Sequence, residues 1–338
     1  MATIRKRNAG WEVQVRRHGY PVVNQTLPTK ADAVAWAAVV ESEMARGAFI
    51  DRSLAERTTF RDLLVRYERE ITVHKKGAAV EACRIRSLLR DPIADARLTD
   101  LTGPRIAQWR DERHRHVSGS TVNRDLNLFS HVFNVARKEW ALPLDNPVGM
   151  VRRPKSNRGR TRRLSHEEEQ RLLAQLAPSE RSTDGSYLPG GCRNPWILPI
   201  VLLALETGMR RGELLSIRWS NVFLEECYLH LPDTKNGEPR DVPLSTRARA
   251  LLAALPRGPA GRVFPITAES LKQVFERAVV RAEIHDFRFH DLRHEATSRL
   301  AIRLDNVLEL SAVTGHKTLG MLKRYYHPRA ADLAKKLG

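Results

Sequence analysis

Near the middle of the chain, Leu142-Pro143-Leu144-Asp145-Asn146-Pro147 is followed closely by Val151-Arg152-Arg153-Pro154-Lys155-Ser156-Asn157-Arg158-Gly159-Arg160-Thr161-Arg162-Arg163. Two prolines so close together end any helix, and the second run holds seven basic residues and no acid in thirteen positions. Such a stretch reads as an inter-domain linker, assigned to 149–163, and the chain must build separate cores on either side of it. Its 338 residues agree with two or three domains of ordinary size. A tether this basic is placed to follow a duplex backbone through Arg152, Arg153, Lys155, Arg158, Arg160, Arg162 and Arg163.

Upstream, residues 3–27 alternate strand-like runs such as Trp11-Glu12-Val13-Gln14-Val15 with turns, and a helix N-capped by Thr29 is expected over about 29–46. Residues 1–50 are thus predicted to form a small ββ(β)α unit. Its strands would carry Arg5, Lys6, Arg7, Arg16 and Arg17, either laid on phosphates or forming a solvated basic face. From 58 to 148 the pattern is helical, with a capped start at Thr59 and segments near 78–90, 103–116 and 119–140. An all-α module is expected there, with a mixed, mainly α, α+β domain over 164–338 that contains a small antiparallel sheet.

The formal charge is +18 with a pI near 10.4, a field that concentrates a polyanion at the surface. Nucleic acid is the leading partner. An acidic membrane would call for a basic amphipathic helix or a lipid anchor, and neither is evident. The apolar run Ile197–Leu205 is too short to span a bilayer. Met1-Ala2-Thr3-Ile4-Arg5-Lys6-Arg7 lacks the apolar stretch of a secretory signal, so a cytoplasmic location is expected. Cys83, Cys192 and Cys227 have no metal-binding spacing and suit reduced, structural thiols.

In the C-terminal half, Gly208 suits the left-handed end of an apolar helix, which puts Arg210 at the start of the next, where backbone N–H groups favour an anion. Lys235 lies in Thr234-Lys235-Asn236-Gly237-Glu238, between two strand-like runs whose Asn-Gly pair suits a tight hairpin turn. In Phe289-His290-Asp291-Leu292-Arg293-His294-Glu295, His290 and Arg293 share a helix face. The same run has the i, i+4 histidines of a zinc helix, but a cationic arginine would sit beside the metal and no third-ligand motif follows. His316 follows Gly315, and Tyr325 comes nine residues later. On a continuing helix Tyr325 and Tyr326 point about 100° apart, so only one faces a common pocket.

The order Arg, Lys, His-x-x-Arg, Gly-His and then Tyr resembles the tyrosine recombinase (phage integrase) family, over residues 58–338. The runs Thr234-Lys235-Asn236-Gly237, His290-Asp291-Leu292-Arg293-His294-Glu295 and Met321-Leu322-Lys323-Arg324-Tyr325 look most like shufflon-type DNA invertases, and residues 1–50 look like an integrase arm-binding domain. The resemblance implies that 58–148 is the core-binding domain and 164–338 the catalytic domain. It implies that Arg210 and Arg293 hold the scissile phosphate and that Lys235 protonates the leaving 5′ oxygen. His290 and His316 would assist proton transfer, Glu213 would position Arg210, and Tyr325 would be the nucleophile.

Attack on a phosphodiester gathers negative charge on the non-bridging oxygens, and two guanidiniums offer permanent, bidentate donors for it. A phenolic oxygen can attack and later leave, so the phosphotyrosine conserves the bond. No cofactor and no metal are therefore expected. The expected partners are double-stranded DNA with specific sites, three further copies of the chain on two duplexes, and accessory DNA-bending proteins. Competing readings are DNA relaxation by a type IB topoisomerase and a DNA-binding regulator without chemistry. The separate helical module and basic arm speak against the first, and the complete residue set against the second. The target sequence, the choice among integration, excision and inversion, and the role of the long loop at 179–195 stay open.

Overall fold

The computed structural model describes residues 2–49, 53–157, 159–188, 190–233, 238–258, 261–304, 306–325 and residue 334. It divides into two compact units, 1–158 and 159–338. Among the described residues, the first unit contains two separate apolar cores and the second contains one.

The first unit opens with strands β1 (Ala2–Arg7), β2 (Gly10–Val15) and β3 (Val23–Leu27), antiparallel in that order, and helix α1 (Lys30–Ala45). Alternation along β2 buries Val13 and Val15 against Ala33, Ala37, Val40 and Met44 of the helix. Thr29 caps α1 by accepting the Asp32 N–H at 3.1 Å. Arg5, Lys6 and Arg7 lie on β1 and are exposed, Arg7 pairing with Glu12 at 2.9 Å. Arg16 and Arg17 depart from the strand position expected of them: β2 ends at Val15, and they lie beyond it in coil.

Helices α2 (Ser53–Arg57), α3 (Phe60–Glu70), α4 (Ala78–Leu88), α5 (Gly103–His116) and α6 (Gly119–Lys138) follow. Phe60, Leu63, Leu64 and Tyr67 recur at helical spacing along α3 and are all buried. Phe60 meets Phe129 and Phe133 of α6 at ring separations of 4.6 and 5.6 Å. Burying each such ring contributes roughly 1.5–3 kcal/mol, so these contacts account for the joining of α3 to α6. Asp125, buried within α6, is neutralised by Arg84 and Arg113.

The basic run is hydrogen-bonded to its neighbours on both sides of residue 158. Its first half lies along α6, where Asn123 Nδ2 donates to Pro154 O at 2.8 Å and Asn157 N donates to Ser120 Oγ at 2.9 Å. Gly119 permits this approach, since a Cβ there would stand 2.2 Å from Lys155 O. Arg152, Arg153 and Lys155 remain exposed. Arg158 lies outside the described residues.

The second unit comprises α7 (His166–Leu176), α8 (Ile197–Thr207), α9 (Arg211–Ser216), strands β4 (Val222–Phe223), β5 (Tyr228–Leu231) and β6 (Arg240–Pro243), then α10 (Thr246–Ala253), α11 (Ala268–Arg281), α12 (Phe289–Arg303), α13 (Val307–Thr314) and α14 (Leu319–Leu322). Apolar on nearly every side, α8 is the central helix and packs against α10 and α12. The sheet is antiparallel in the order β4-β5-β6. Pairing of β5 with β6 ends at Leu231–Arg240, well short of the Asn-Gly pair, so the tight two-residue turn expected there falls outside the described residues.

The second half of the run is held by carboxylates of this unit. Arg160 donates from Nε and Nη2 to Asp291 at 3.0 and 2.8 Å and from Nη1 to Asp286 at 2.9 Å. Arg162 meets Glu168, and Arg163 makes a two-pronged bridge to Glu295 at 2.7 and 3.1 Å. These three arginines thus hold this part of the run to α7 and α12. The loop 179–195 is a small folded excursion closed by bridges from Pro178 to Cys192 and from Arg181 to Tyr187. No helix among the described residues is long and apolar enough to cross a membrane.

Candidate active site

Two left-handed glycines shape the site. Gly208 (φ +63°) ends α8 and Gly315 (φ +66°) ends α13, each turning the chain where a side chain would be strained. The carbonyls exposed by these turns face two arginines from other elements. Arg293 on α12 donates to Gly208 O at 2.5 Å and Thr314 O at 2.7 Å, and Arg210 Nη2 donates to Gly315 O at 3.2 Å.

Arg293 is only 4% exposed, and none of its hydrogen bonds among the described residues goes to a carboxylate. Burial, and then the charge of Arg210, lower its pKa to about 10, which still leaves it protonated near neutrality. A buried guanidinium satisfied by carbonyls has its donors paired but its charge uncompensated, and this favours an anion in the adjoining cleft.

Arg210 behaves differently from the sequence expectation. The helix it precedes is only six residues long, and its own N–H is taken by Glu213 Oε2 at 2.9 Å in a capping box. The N–H at the helix start is therefore already taken by a carboxylate. Glu213 Oε1 accepts Arg210 Nη1 at 2.8 Å, and both carboxylate oxygens accept Arg240 at 3.1 Å. Burial raises the Glu213 pKa, but hydrogen bonds from Arg240 and the Arg210 N–H outweigh it and hold the pKa at about 2. Sequence reasoning misses Arg240; its one signal is a strand position just before Val242-Pro243, which by itself indicates no more than half a hairpin.

His316 receives Arg293 Nη2 at its Nε2, 3.3 Å away, while its Nδ1 lies 2.7 Å from Thr314 Oγ1. That hydroxyl donates onward to Leu310 O at 2.6 Å, so Nδ1 carries the proton and Nε2 the lone pair. Burial and the neighbouring charges of Arg293 and Arg210 lower the His316 pKa to about 3, so the ring is neutral.

Tyr325 is half-buried and lies beyond α14, which stops at Leu322, so the angular argument for a continuing helix does not apply. Its phenol hydrogen-bonds His294 Nδ1, with the rings stacked at 5.6 Å, and the His316 ring stands 5.9 Å away. Burial raises the phenol pKa, opposed by the charges of Arg324 and Arg293. His290 is exposed and meets His294 edge-on at 5.3 Å. Sequence reasoning therefore passes over the histidine that touches the phenol, because His294 stands out there only as a metal ligand. Among the described residues no group of three or more His, Cys, Asp or Glu is placed to hold a metal ion.

Arg210, His290, Arg293, His294, His316 and Tyr325 line one cavity of about 760 Å3. Lys235 and Tyr326 lie outside the described residues.

Guanidiniums, imidazoles and a phenol around one cleft are groups suited to transferring a phosphoryl group to an oxygen nucleophile. The profile described as the phage integrase family matches residues 162–332, half of the chain. The shufflon-specific DNA recombinase of Escherichia coli is 41% identical over 283 residues, covering 81% of this chain and 70% of that protein. This chain belongs to the phage integrase family, the tyrosine recombinases, and is a site-specific DNA recombinase. The fold agrees: a lambda integrase dimer bound to a COC′ core site matches with a TM-score of 0.65 over 81% of this chain and 97% of that one, at 20% identity. A lambda integrase tetramer bound to a Holliday junction matches with a TM-score of 0.64 over 97% and 95%, also at 20% identity.

Proposed function

We propose that the cleft binds the scissile phosphate of a duplex between Arg210 and Arg293, and that Tyr325 attacks it to give a 3′-phosphotyrosine and a free 5′ hydroxyl. The observation that carries this reading is the buried Arg293, whose hydrogen bonds among the described residues go to carbonyls and to His316 and not to a carboxylate, and which shares a cavity with Arg210 and the Tyr325 phenol. Each guanidinium donates to a non-bridging oxygen as negative charge develops there. Glu213 keeps Arg210 in place. Lys235 protonates the leaving 5′ oxygen, and His290 and His316 assist at the phosphate. Reversal of the step on a second strand rejoins the DNA without an external energy source.

In this reading residues 1–50 bind arm-type DNA through Arg5, Lys6 and Arg7, with Arg16 and Arg17 beside the sheet. Residues 58–148 grip the core site, and Arg152, Arg153, Lys155 and Arg158 follow the backbone. Residues 164–338 carry the chemistry. Four copies act on two duplexes in the cytoplasm, joined by accessory DNA-bending proteins. DNA inversion is the favoured outcome because the 41% identity is to a shufflon-specific recombinase.

The test is to mix the protein with fragmented DNA from a host genome carrying its gene, denature in detergent, and sequence the DNA that stays attached. Recovery of one recurrent sequence supports the proposal. Even attachment across the genome would point to non-specific DNA relaxation instead.

A further inference from the structure

We propose that His294 is the general base that takes the proton from Tyr325 during strand cleavage and returns it during rejoining. The inference rests on the reading of Tyr325 as the nucleophile. Two imidazoles face the phenol, and their bonding separates them. His316 has both ring nitrogens engaged, Nδ1 with Thr314 and Nε2 with Arg293. His294 directs Nδ1 at the phenol oxygen. That nitrogen accepts only if it carries the lone pair, which puts the ring proton on Nε2.

Helix geometry makes this arrangement durable. His294 follows Arg293 on α12, so the element that buries the phosphate-facing guanidinium also fixes the imidazole beside the phenol. Ser298 Oγ donates to His294 O at 2.9 Å, and the stacked contact with Tyr325 keeps the two rings within 27° of parallel.

Several titratable and charged groups face His294. On its own helix these are His290, Asp291 and Arg293, and from the C-terminal segment Arg324 and, across the phenol, His316. From α11, Lys272 and Glu276 line the same cavity. Burial first, and then His290, lower the His294 pKa, with Asp291 acting in the opposite sense. The phenol meanwhile resists ionising by itself, because burial raises its pKa. A proton acceptor in contact with it removes that obstacle.

In the step itself the phenolic oxygen forms a bond to phosphorus, its proton moves to His294 Nδ1, the P–O5′ bond breaks, and the 5′ oxygen takes a proton from Lys235. In rejoining, the 5′ hydroxyl attacks, and the imidazolium of His294 protonates the departing phenolate.

The test uses the full chain and a nicked duplex carrying the sequence recovered by covalent trapping, under single-turnover conditions. His294→Asn keeps an amide oxygen near the Nδ1 position but cannot take the proton. Cleavage is expected to fall about 10²–10⁴-fold with DNA affinity unchanged, and the wild-type loss of rate at acid pH should give way to a steady rise with pH. A 5′-bridging sulfur, which leaves without protonation, should not rescue the variant. Cleavage within about threefold of wild type, or rescue by the sulfur, would overturn the assignment. If His294→Asn melts early, His294→Ala with added imidazole is decisive: restored cleavage that tracks the free-base fraction supports the role, and no restoration overturns it. Tyr325→Phe separates the two ideas, since an adduct that survives that change removes the nucleophile itself and not merely its base.

Discussion

Glu213 accepts both terminal nitrogens of Arg240, each at 3.1 Å, while one of the same oxygens accepts Arg210 at 2.8 Å. The carboxylate is 4% exposed as a side chain and is thus a buried anion shared between two cations. Arg240→Ala leaves it with one. Breaking a buried pair from one side costs about 3–5 kcal/mol, and Arg210 loses the brace that orients it. Urea denaturation should show a loss near the lower end of that range, because Arg210 remains. Single-turnover cleavage should drop at least about tenfold, in line with the cost of a misplaced charged donor. Unchanged stability and rate would mean that Arg240 is a bystander.

Acid should destabilise the catalytic unit earlier than carboxylate titration alone would. His316 is held at about 3 in the folded protein against 6.5 for a free imidazole, and Glu213 at about 2 against 4.5. Both pKa values are depressed by folding, so the unfolded chain binds protons first. Stability is complete above about pH 6.5, drains through His316 as pH falls, and drains further through Glu213 below 4.5. The His316 part alone amounts to about 2 kcal/mol between pH 7 and 5. His316→Gln should lessen the loss of thermal stability over that interval, leaving the part that drains through His294, whose pKa folding also lowers, and the steeper loss below pH 4.5, as read by melts across the pH series.

The two halves of the basic run should respond differently to neutralisation. Replacing Arg152, Arg153 and Lys155 with glutamine should leave the melting temperature near wild type. It should also reduce the slope of log affinity against log salt by up to about one unit for each phosphate that is no longer neutralised. Arg160→Ala instead strands Asp291, a carboxylate 1% exposed, and should cost about 3 kcal/mol in stability. Equal effects on the salt slope from both changes would contradict the division of the run.

Much of the fold and site is legible in the sequence because the signals are local. Thr59 caps the helix expected to start there, completing a capping box with the acid three residues on. Gly208 ends a helix with a left-handed residue, as its sequence context suggests. Arg210, Arg293, His316 and Tyr325 can be singled out because each sits in a short motif. What escapes depends on contacts between distant segments. The acidic partners of Arg160 and Arg163 lie more than 120 residues away, and no local pattern announces them. His294 is hidden by its spacing from His290, which invites a metal reading, whereas the phenol it touches arrives from a segment 31 positions later. Arg16 and Arg17 fall outside the strand because strand ends are set by pairing partners rather than by the residues themselves.

The central claim is tested most directly by finding which atom carries the DNA. After cleavage of a nicked duplex, nuclease trimming and trypsin digestion, the peptide Tyr325-Tyr326-His327-Pro328-Arg329 is released by cuts after Arg324 and Arg329. Fragmentation in the mass spectrometer then distinguishes its two tyrosines. The account predicts a nucleotide linked through phosphate to Tyr325, and no such peptide from Tyr325→Phe. A nucleotide on Tyr326, or an unmodified peptide from protein that has cleaved its DNA, would contradict it.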